Sequence, residues 1–106
     1  MKRVSLTDQS GQWFDSEKSE IYKENTYHDG KNWISKATGS QWEHEAVHVT
    51  KGGKFILNHW SNFQGSTETY EEITKEQAAE WFAKQDMQDN EIPDVFLEEV
   101  MKLEID

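Results

Sequence analysis

The chain has 106 residues and no cysteine, and its 21 acidic and 11 basic side chains give a formal net charge of −10. Without cysteine, disulfides, thiolate zinc sites and iron–sulfur clusters are excluded, and no apolar run approaches the roughly 18 residues of a membrane span. A chain this acidic is not expected to bind nucleic acid through its overall field. Because a polar segment follows Lys2 and Arg3, no secretory signal is visible, and we expect a cytoplasmic protein.

The first 73 residues read as short strands separated by turns, and the chain length predicts a single domain over residues 1–106. Asp29-Gly30 is a strong hairpin signal. Five Trp, five Phe and three Tyr supply ring area to a core that is otherwise poor in apolar residues. The strand candidates outside the central hairpin are residues 3–6, 19–24, 32–37 and 69–73.

The segment from Trp42 to Phe63 predicts the best hairpin, because two runs rich in β-forming residues flank Gly52-Gly53. A type I′ turn needs positive φ at both central residues, which two glycines permit. With these glycines as the whole loop, His59 lies opposite Ala46. A slip of one residue would move every side chain to the other face. The predicted register places three histidines on one face of the hairpin: His44, His48 and His59.

Two helices are predicted at the C-terminal end. Thr74 and Gln77 have the spacing of a capping box ahead of an apolar stripe, which predicts a helix over residues 75–86. Pro93 suits the first turn of a second helix, predicted over residues 93–104. The apolar side of this second helix consists of Val95, Phe96, Val100, Met101 and Leu103.

Strands followed by helices predict an α+β domain. We expect a twisted antiparallel sheet of about four to six short strands, with both C-terminal helices packed on one of its faces. The other face is expected to be uncovered and partly polar, as antiparallel sheets permit. The domain then divides into a strand-rich part over residues 1–73 and a helical layer over residues 74–106.

Charge is distributed very unevenly along the chain. Residues 1–63 carry eight acidic and eight basic side chains, so the whole excess of −10 lies in residues 64–106. Such asymmetry can mark an interaction surface, and a partner of the helical layer would be basic. One alternative is a nucleic-acid mimic that occupies a basic cleft, and the plainest interpretation is a solvated helix face. The glutamates proposed to bind a partner are Glu76, Glu80, Glu98 and Glu99.

The string His44-Glu45-Ala46-Val47-His48 matches HExxH, the zinc motif of many metalloproteases. That chemistry needs a helix, whereas the β-branched residues and Gly52-Gly53 here favour a strand. A strand offers another metal hypothesis, in which His44, His48 and His59 converge on one face and bind zinc with an open position. The alternative is that these histidines are half-buried polar side chains hydrogen-bonded near the sheet surface.

Aromatic side chains alternate with amides and hydroxyls over residues 58–66. Together with Trp42, the rings of Trp60 and Phe63 would form a surface that grips a protein partner or a sugar ring by stacking. The alternative is a rim of core aromatics whose polar atoms are satisfied within the protein.

Four strings occur in a fixed order: ISKATGSQWEHE from Ile34, LNHWS from Leu57, QGST from Gln64 and EQAAEWF from Glu76. This order resembles a set of small uncharacterised bacterial proteins of about this length. The resemblance implies a bacterial or phage cytoplasmic setting and supplies no activity, cofactor or catalytic residue. The similar proteins have Leu-Tyr-Arg-Thr at positions 47–50, which implies that His48 lies outside the shared pattern and counts against both metal hypotheses.

No catalytic set, phosphate-binding loop or nucleophile elbow is present in the sequence. We therefore expect a non-enzymatic protein-interaction or regulatory module that needs no cofactor. The alternatives are the nucleic-acid-mimicking inhibitor and a small zinc-binding protein or hydrolase that uses the three histidines. Self-association is also expected to be open to an edge strand near residues 3–6 or 69–73.

Overall fold

The computed structural model describes residues 1–63, 65–85 and 92–105. Within these ranges it contains eight strands, a short 3₁₀ turn at Ser16–Lys18 and two α-helices. The strands are β1 (Arg3–Ser5), β2 (Trp13–Asp15), β3 (Glu20–Lys23), β4 (Thr26–His28), β5 (Trp33–Ser35), β6 (Glu43–Val49), β7 (Phe55–Ser61) and β8 (Thr69–Ile73). The helices are α1 (Lys75–Lys84) and α2 (Asp94–Met101), so the predicted end of the first helix at residue 86 lies outside the described residues.

All strand pairs are antiparallel. The central sheet has the order β3-β6-β7-β8, and β1–β2 and β4–β5 are separate two-stranded hairpins. The predicted α+β class is confirmed: antiparallel strands are followed by two C-terminal helices. Strands β2 and β4 were not predicted, although β1 and β5, which are equally short, fall within predicted strands.

The C-terminal helices cover one face of the central sheet. Val47 of β6 is fully buried among residues of both helices, and its neighbours on this face include Leu57 and Phe55 of β7. Phe82 of α1 and Phe96 of α2 are also fully buried, with ring centroids 4.8 Å apart. Burial of these rings is the main hydrophobic contribution that this face makes to folding.

The predicted capping box is present at the start of α1. The backbone N–H of Gln77 donates to the Thr74 hydroxyl (3.1 Å), and the N–H of Thr74 donates to the Gln77 side chain (2.9 Å). Pro93 directly precedes α2 instead of forming its first turn. Neither helix of the described ranges is long and apolar enough to cross a membrane.

The apolar stripe of α2 is narrower than predicted. Phe96 is buried and Val100 is partly buried, as expected. In contrast, Val95, Met101 and Leu103 are about half exposed, so their assignment to the apolar side is wrong. Val95 and Met101 lie about 100° around the helix from Phe96 and Val100, on the side away from the core, and Leu103 lies beyond the end of the helix at Met101.

The face that was expected to be uncovered is partly covered by the β1–β2 hairpin. Leu6 and Phe14 are buried there against Ile56 of β7. The hairpin is tied to edge strand β8, because the Thr7 N–H donates to the Tyr70 carbonyl (2.7 Å) and the Tyr70 N–H donates to the Thr7 hydroxyl (3.0 Å). Self-association through an edge strand stays a prediction.

The register predicted for the β6–β7 hairpin is wrong by one residue. The loop has three residues, Lys51 to Gly53, and is closed by a bond from the Thr50 N–H to the Lys54 carbonyl (2.9 Å). Of the two glycines only Gly53 has a positive φ, of +82°, which is the geometry of a three-residue loop with a bulge and not of a type I′ turn. His59 therefore pairs with Glu45 and not with Ala46.

Candidate functional site

The corrected register separates the three histidines. His44 and His48 project from the sheet face that carries the β1–β2 hairpin, because they pair with Trp60 and Ile56. His59 pairs with Glu45 and projects from the helix-covered face. The prediction that all three share one face is thus wrong. No group of three or more His, Asp or Glu side chains in the described residues is arranged to hold a metal ion.

His44 is held from both sides by hydrogen bonds. Its Nδ1 lies 2.7 Å from Oε2 of Glu24, and its Nε2 lies 3.0 Å from the side-chain nitrogen of Asn62. The other oxygen of Glu24 accepts the backbone N–H of Glu45. Because the Glu24 side chain is only 8% exposed, its carboxylate is buried with its partners satisfied. This arrangement joins the end of β3 to β6 and to the end of β7.

His59 is held between two glutamates on the other face. Its Nδ1 is 3.1 Å from Glu45 Oε2, and its Nε2 is 3.7 Å from Glu43 Oε1. The second oxygen of Glu45 accepts the indole N–H of the buried Trp81 (3.2 Å). Glu45 therefore joins α1 to the sheet, and the HExxH string lies on strand β6 and not on the helix that the motif needs.

His48 is a buried side chain, 7% exposed, packed between aromatic rings. Its ring centroid is 5.2 Å from that of Phe14 and 6.1 Å from that of Tyr70, and its Nδ1 is 3.4 Å from the Ser19 hydroxyl. Burial lowers the pKa of His48, although the Glu68 carboxylate opposes that shift. The alternative interpretation of the histidines, as partly buried polar side chains with hydrogen-bond partners, fits their positions.

Two aromatic residues at the open end of the β6–β7 hairpin stack on each other in contact with solvent. Trp42 and Phe63 have ring centroids 5.2 Å apart and are 45% and 58% exposed. Beside them, the rings of His44 and Trp60 are 5.8 Å apart. We call Trp42, His44, Trp60 and Phe63 the aromatic end patch. The three aromatic residues that the sequence indicated for partner binding thus lie at the same end of the hairpin, where Glu43 pairs with Ser61.

A cavity of about 310 Å³ opens next to this patch, lined by Asn58, Trp60, Ser61, Ser66 and Glu68. We call it the Glu68 slot. One oxygen of Glu68 accepts both the Asn58 side-chain N–H (2.9 Å) and the Tyr70 hydroxyl (3.0 Å), and burial followed by this carboxylate raises the pKa of Tyr70 to about 12. The Ser66 hydroxyl fixes the loop by donating to the carbonyls of Ser61 and Phe63.

The four glutamates predicted to bind a partner lie on helices α1 and α2. The aromatic end patch, in contrast, lies at the end of the β6–β7 hairpin. Glu76, Glu80 and Glu98 are exposed, whereas Glu99 is partly buried. Lysines pair with two of them: Lys75 with Glu99 (3.3 Å) and Lys102 with Glu98 (3.6 Å). These pairs reduce the negative field that a nucleic-acid mimic would need, and that hypothesis stays a prediction.

Sequence reasoning missed Glu24 and Glu68 as members of the site, whereas Asn62 lies within the segment 58–66 that it indicated. Glu24 is distant in sequence from His44, and only the pairing of β3 with β6 brings the two together. Comparisons of the chain with models of protein families, with curated proteins and with solved structures find no match.

Proposed function

We propose that the chain is a non-enzymatic protein-interaction module that binds a basic segment of a partner protein at the aromatic end patch and the Glu68 slot. The observation that carries this proposal is the exposed Trp42–Phe63 stack beside a cavity whose wall holds the Glu68 carboxylate. The proposal keeps the interaction module expected from the sequence and, of the two surfaces expected there, chooses the aromatic residues at the end of the sheet over the acidic helices.

An arginine side chain fits this combination of groups. Its guanidinium stacks on aromatic faces and donates planar, paired hydrogen bonds to a carboxylate. The Glu68 slot offers the Trp60 ring, two serine hydroxyls and the Glu68 carboxylate within one cavity. The neighbouring Trp42–Phe63 stack then contacts the apolar part of the partner, in the manner of aromatic residues at interface hot spots.

The charge of the molecule favours the same class of partner. The chain carries −10 in total, and Glu43 at the start of β6 is 51% exposed at its side chain. A negative field accelerates the approach of a basic segment and makes association sensitive to salt. The cytoplasmic setting expected from the sequence is kept as part of this proposal.

The histidine–carboxylate pairs support binding over catalysis. Both ring nitrogens of His44 have partners, and so do both ring nitrogens of His59. These contacts join strands and a helix, so the pairs stabilise the end of the sheet that displays the aromatic rings.

The test is an NMR titration with a synthetic, terminally blocked peptide of alternating glycine and arginine, at low and at physiological salt. We expect shifts at the amides of Trp42, Ser61, Ser66 and Glu68, and weaker binding at higher salt. Glu68→Gln should weaken binding by about tenfold, the typical effect of losing a hydrogen bond to a charged group. A blocked glycine–glutamate peptide serves as the control ligand.

The double variant Glu76→Gln/Glu80→Gln is the matched control, because it removes charge from the helices and leaves the sheet unchanged. It should bind as the native chain does. Binding that is lost in this control and kept in Glu68→Gln would overturn the proposal and favour the acidic helices, as would peptide-induced shifts confined to α1 and α2. Binding of the glutamate peptide, or of neither peptide, would also overturn it.

A further inference from the structure

A second and larger cavity lies at the opposite end of the β6–β7 hairpin from the aromatic end patch. It has a volume of about 510 Å³ and lies between the β1–β2 hairpin and the β6–β7 turn. Cavities of roughly 300–1,000 Å³ are typical of small-molecule sites. We call this cavity the turn groove.

The floor of the turn groove is apolar. Leu6 and Phe14 from the N-terminal segment and Ile56 from β7 line it, and all three are buried. Trp13 forms part of the wall and is 46% exposed, an unusual position for so large a ring. The guanidinium carbon of Arg3 lies 4.6 Å from the centroid of this ring, a cation–π contact that restrains the indole.

Positively charged side chains line the rim of the turn groove, although the protein as a whole is acidic. Lys18, Lys51 and Lys54 line it, against the carboxylates of Asp15 and Glu72. The pKa of Asp15 is lowered mainly by a hydrogen bond from the backbone N–H of Lys2, and the charge of Lys18 lowers it further. Lys51 and Lys54 are exposed and form no ion pair with any of the described residues.

We propose that the turn groove binds a small organic acid with an aromatic body. The flat ring lies on the floor of Leu6, Phe14 and Ile56 beside Trp13, and its carboxylate pairs with the ammonium groups of Lys51 and Lys54. Each part of this ligand matches a different part of the groove: apolar area for the ring, an indole for stacking, and two ammonium groups for one carboxylate.

This site goes beyond the proposed function and does not depend on it. The turn groove and the Glu68 slot have no lining residue in common. They also differ in charge, since lysines dominate the rim of one and a glutamate lines the other. A failed experiment on either site therefore leaves the other unaffected.

The test uses 2-naphthoate as the probe and 2-naphthamide as its uncharged counterpart, each titrated into the full-length, isotope-labelled chain. We expect naphthoate to shift the indole N–H of Trp13 and the amides of Gly11, Thr50 and Gly52. Naphthamide should bind about tenfold more weakly, because it lacks the charge that pairs with the lysines. The double variant Lys51→Gln/Lys54→Gln should reduce naphthoate affinity by a similar factor and leave naphthamide affinity unchanged.

The matched control is Lys31→Gln/Lys84→Gln, which makes the same change in net charge with two exposed lysines outside the groove. It should bind naphthoate as the native chain does. Equal affinity for the acid and the amide would overturn the proposal, as would an equal loss in both double variants. Shifts centred on Trp33 or Trp42 would overturn it too, since they would indicate general adsorption to exposed rings.

Discussion

The two faces of the central sheet are built from the same four strands but differ in chemistry. On the helix-covered face, β6 and β7 contribute Val47, Val49, Phe55 and Leu57 to the cluster around Phe82 and Phe96. On the hairpin-covered face, the same strands contribute His48 and Asn58 beside Ile56, and both polar side chains are buried. The helix-covered face carries the larger apolar cluster and its hydrogen bonds lie beside that cluster, at Glu45 and Trp81, whereas the hairpin-covered face buries polar side chains within its packing.

This difference shows how a chain poor in apolar residues can fold and still display binding surfaces. The helix-covered face concentrates fully buried rings, and such burial is the dominant favourable contribution to folding. The hairpin-covered face buries fewer apolar side chains, since its cluster consists of Leu6, Phe14 and Ile56 with Val4 and Tyr70 packed against them. Both cavities lie on that face: the turn groove touches Ile56 and the Glu68 slot touches Asn58 and Trp60.

The prediction with the largest expected effect compares how much each face of the sheet contributes to the free energy of unfolding. Phe82→Ala removes a fully buried ring that contacts Tyr22, Trp81 and Phe96, and it should lower the free energy of unfolding by about 3–5 kcal/mol. Phe14→Ala on the other face should lower it less, because the hairpin can detach without exposing the helical core. Urea denaturation of both variants measures the two losses.

Hydrogen exchange distinguishes the two losses further. In Phe14→Ala, faster exchange should be confined to the amides of β1 and β2, whereas Phe82→Ala should accelerate exchange across β6 and β7. The exposed Phe63→Ala serves as a control that changes stability little. If Phe14→Ala costs as much as Phe82→Ala and unfolds the whole sheet, the two faces are one cooperative core and the comparison is wrong.

Much of the fold could be predicted from sequence, and the successes are the elements with strong local signals. The capping box at Thr74 fixed the start of α1, and the strand from Thr69 to Ile73 has its predicted bounds. The one-residue error in the central hairpin came from loop length. Two adjacent glycines satisfy a two-residue loop, but they equally permit a three-residue loop in which one glycine is an ordinary turn residue.

The candidate site was less predictable, since it depends on that register and on distant pairs. The sequence indicated Trp42, Trp60 and Phe63, because aromatics among amides and hydroxyls are a local pattern. It gave no indication of Glu68 as the carboxylate beside them, because many glutamates in this chain look alike until the sheet is assembled. The turn groove was missed for the same reason: Trp13 and Lys51 meet only through the packing of the β1–β2 hairpin.

A pair of glycine variants tests the register that assigns each side chain to its face. Gly53→Ala should lower the free energy of unfolding by about 1 kcal/mol, because an L-residue is strained at a φ of +82°. Gly52→Ala should have a much smaller effect, since Gly52 does not have positive φ and the nearest atom to an added Cβ is 4.0 Å away. Thermal denaturation compares the two. Equal losses would indicate a type I′ turn, and the histidines would then return to one face.

The smallest expected effect is the pH dependence of stability caused by His48, the buried histidine on the hairpin-covered face. Because the pKa of His48 is lowered in the folded state, the unfolded chain binds more protons at this position once the pH falls below the ordinary histidine value of about 6.5. Stability should therefore decrease as the pH falls through that value, and the decrease should end below the pKa of the folded state. Glu68 and Tyr70 face the ring, and the Glu68 charge reduces the effect without reversing it.

His48→Phe keeps an aromatic ring between Phe14 and Tyr70 and removes the titration. The free energy of unfolding of both proteins is measured by denaturation from about pH 7.5 to about pH 5.5. As the pH falls, the native chain should lose stability relative to the variant. If the stability of His48→Phe falls with pH as steeply as that of the native chain, the loss of stability arises from other groups. On the helix-covered face Tyr22 supplies no such slope, since burial raises its pKa to about 12 and it stays neutral over this range.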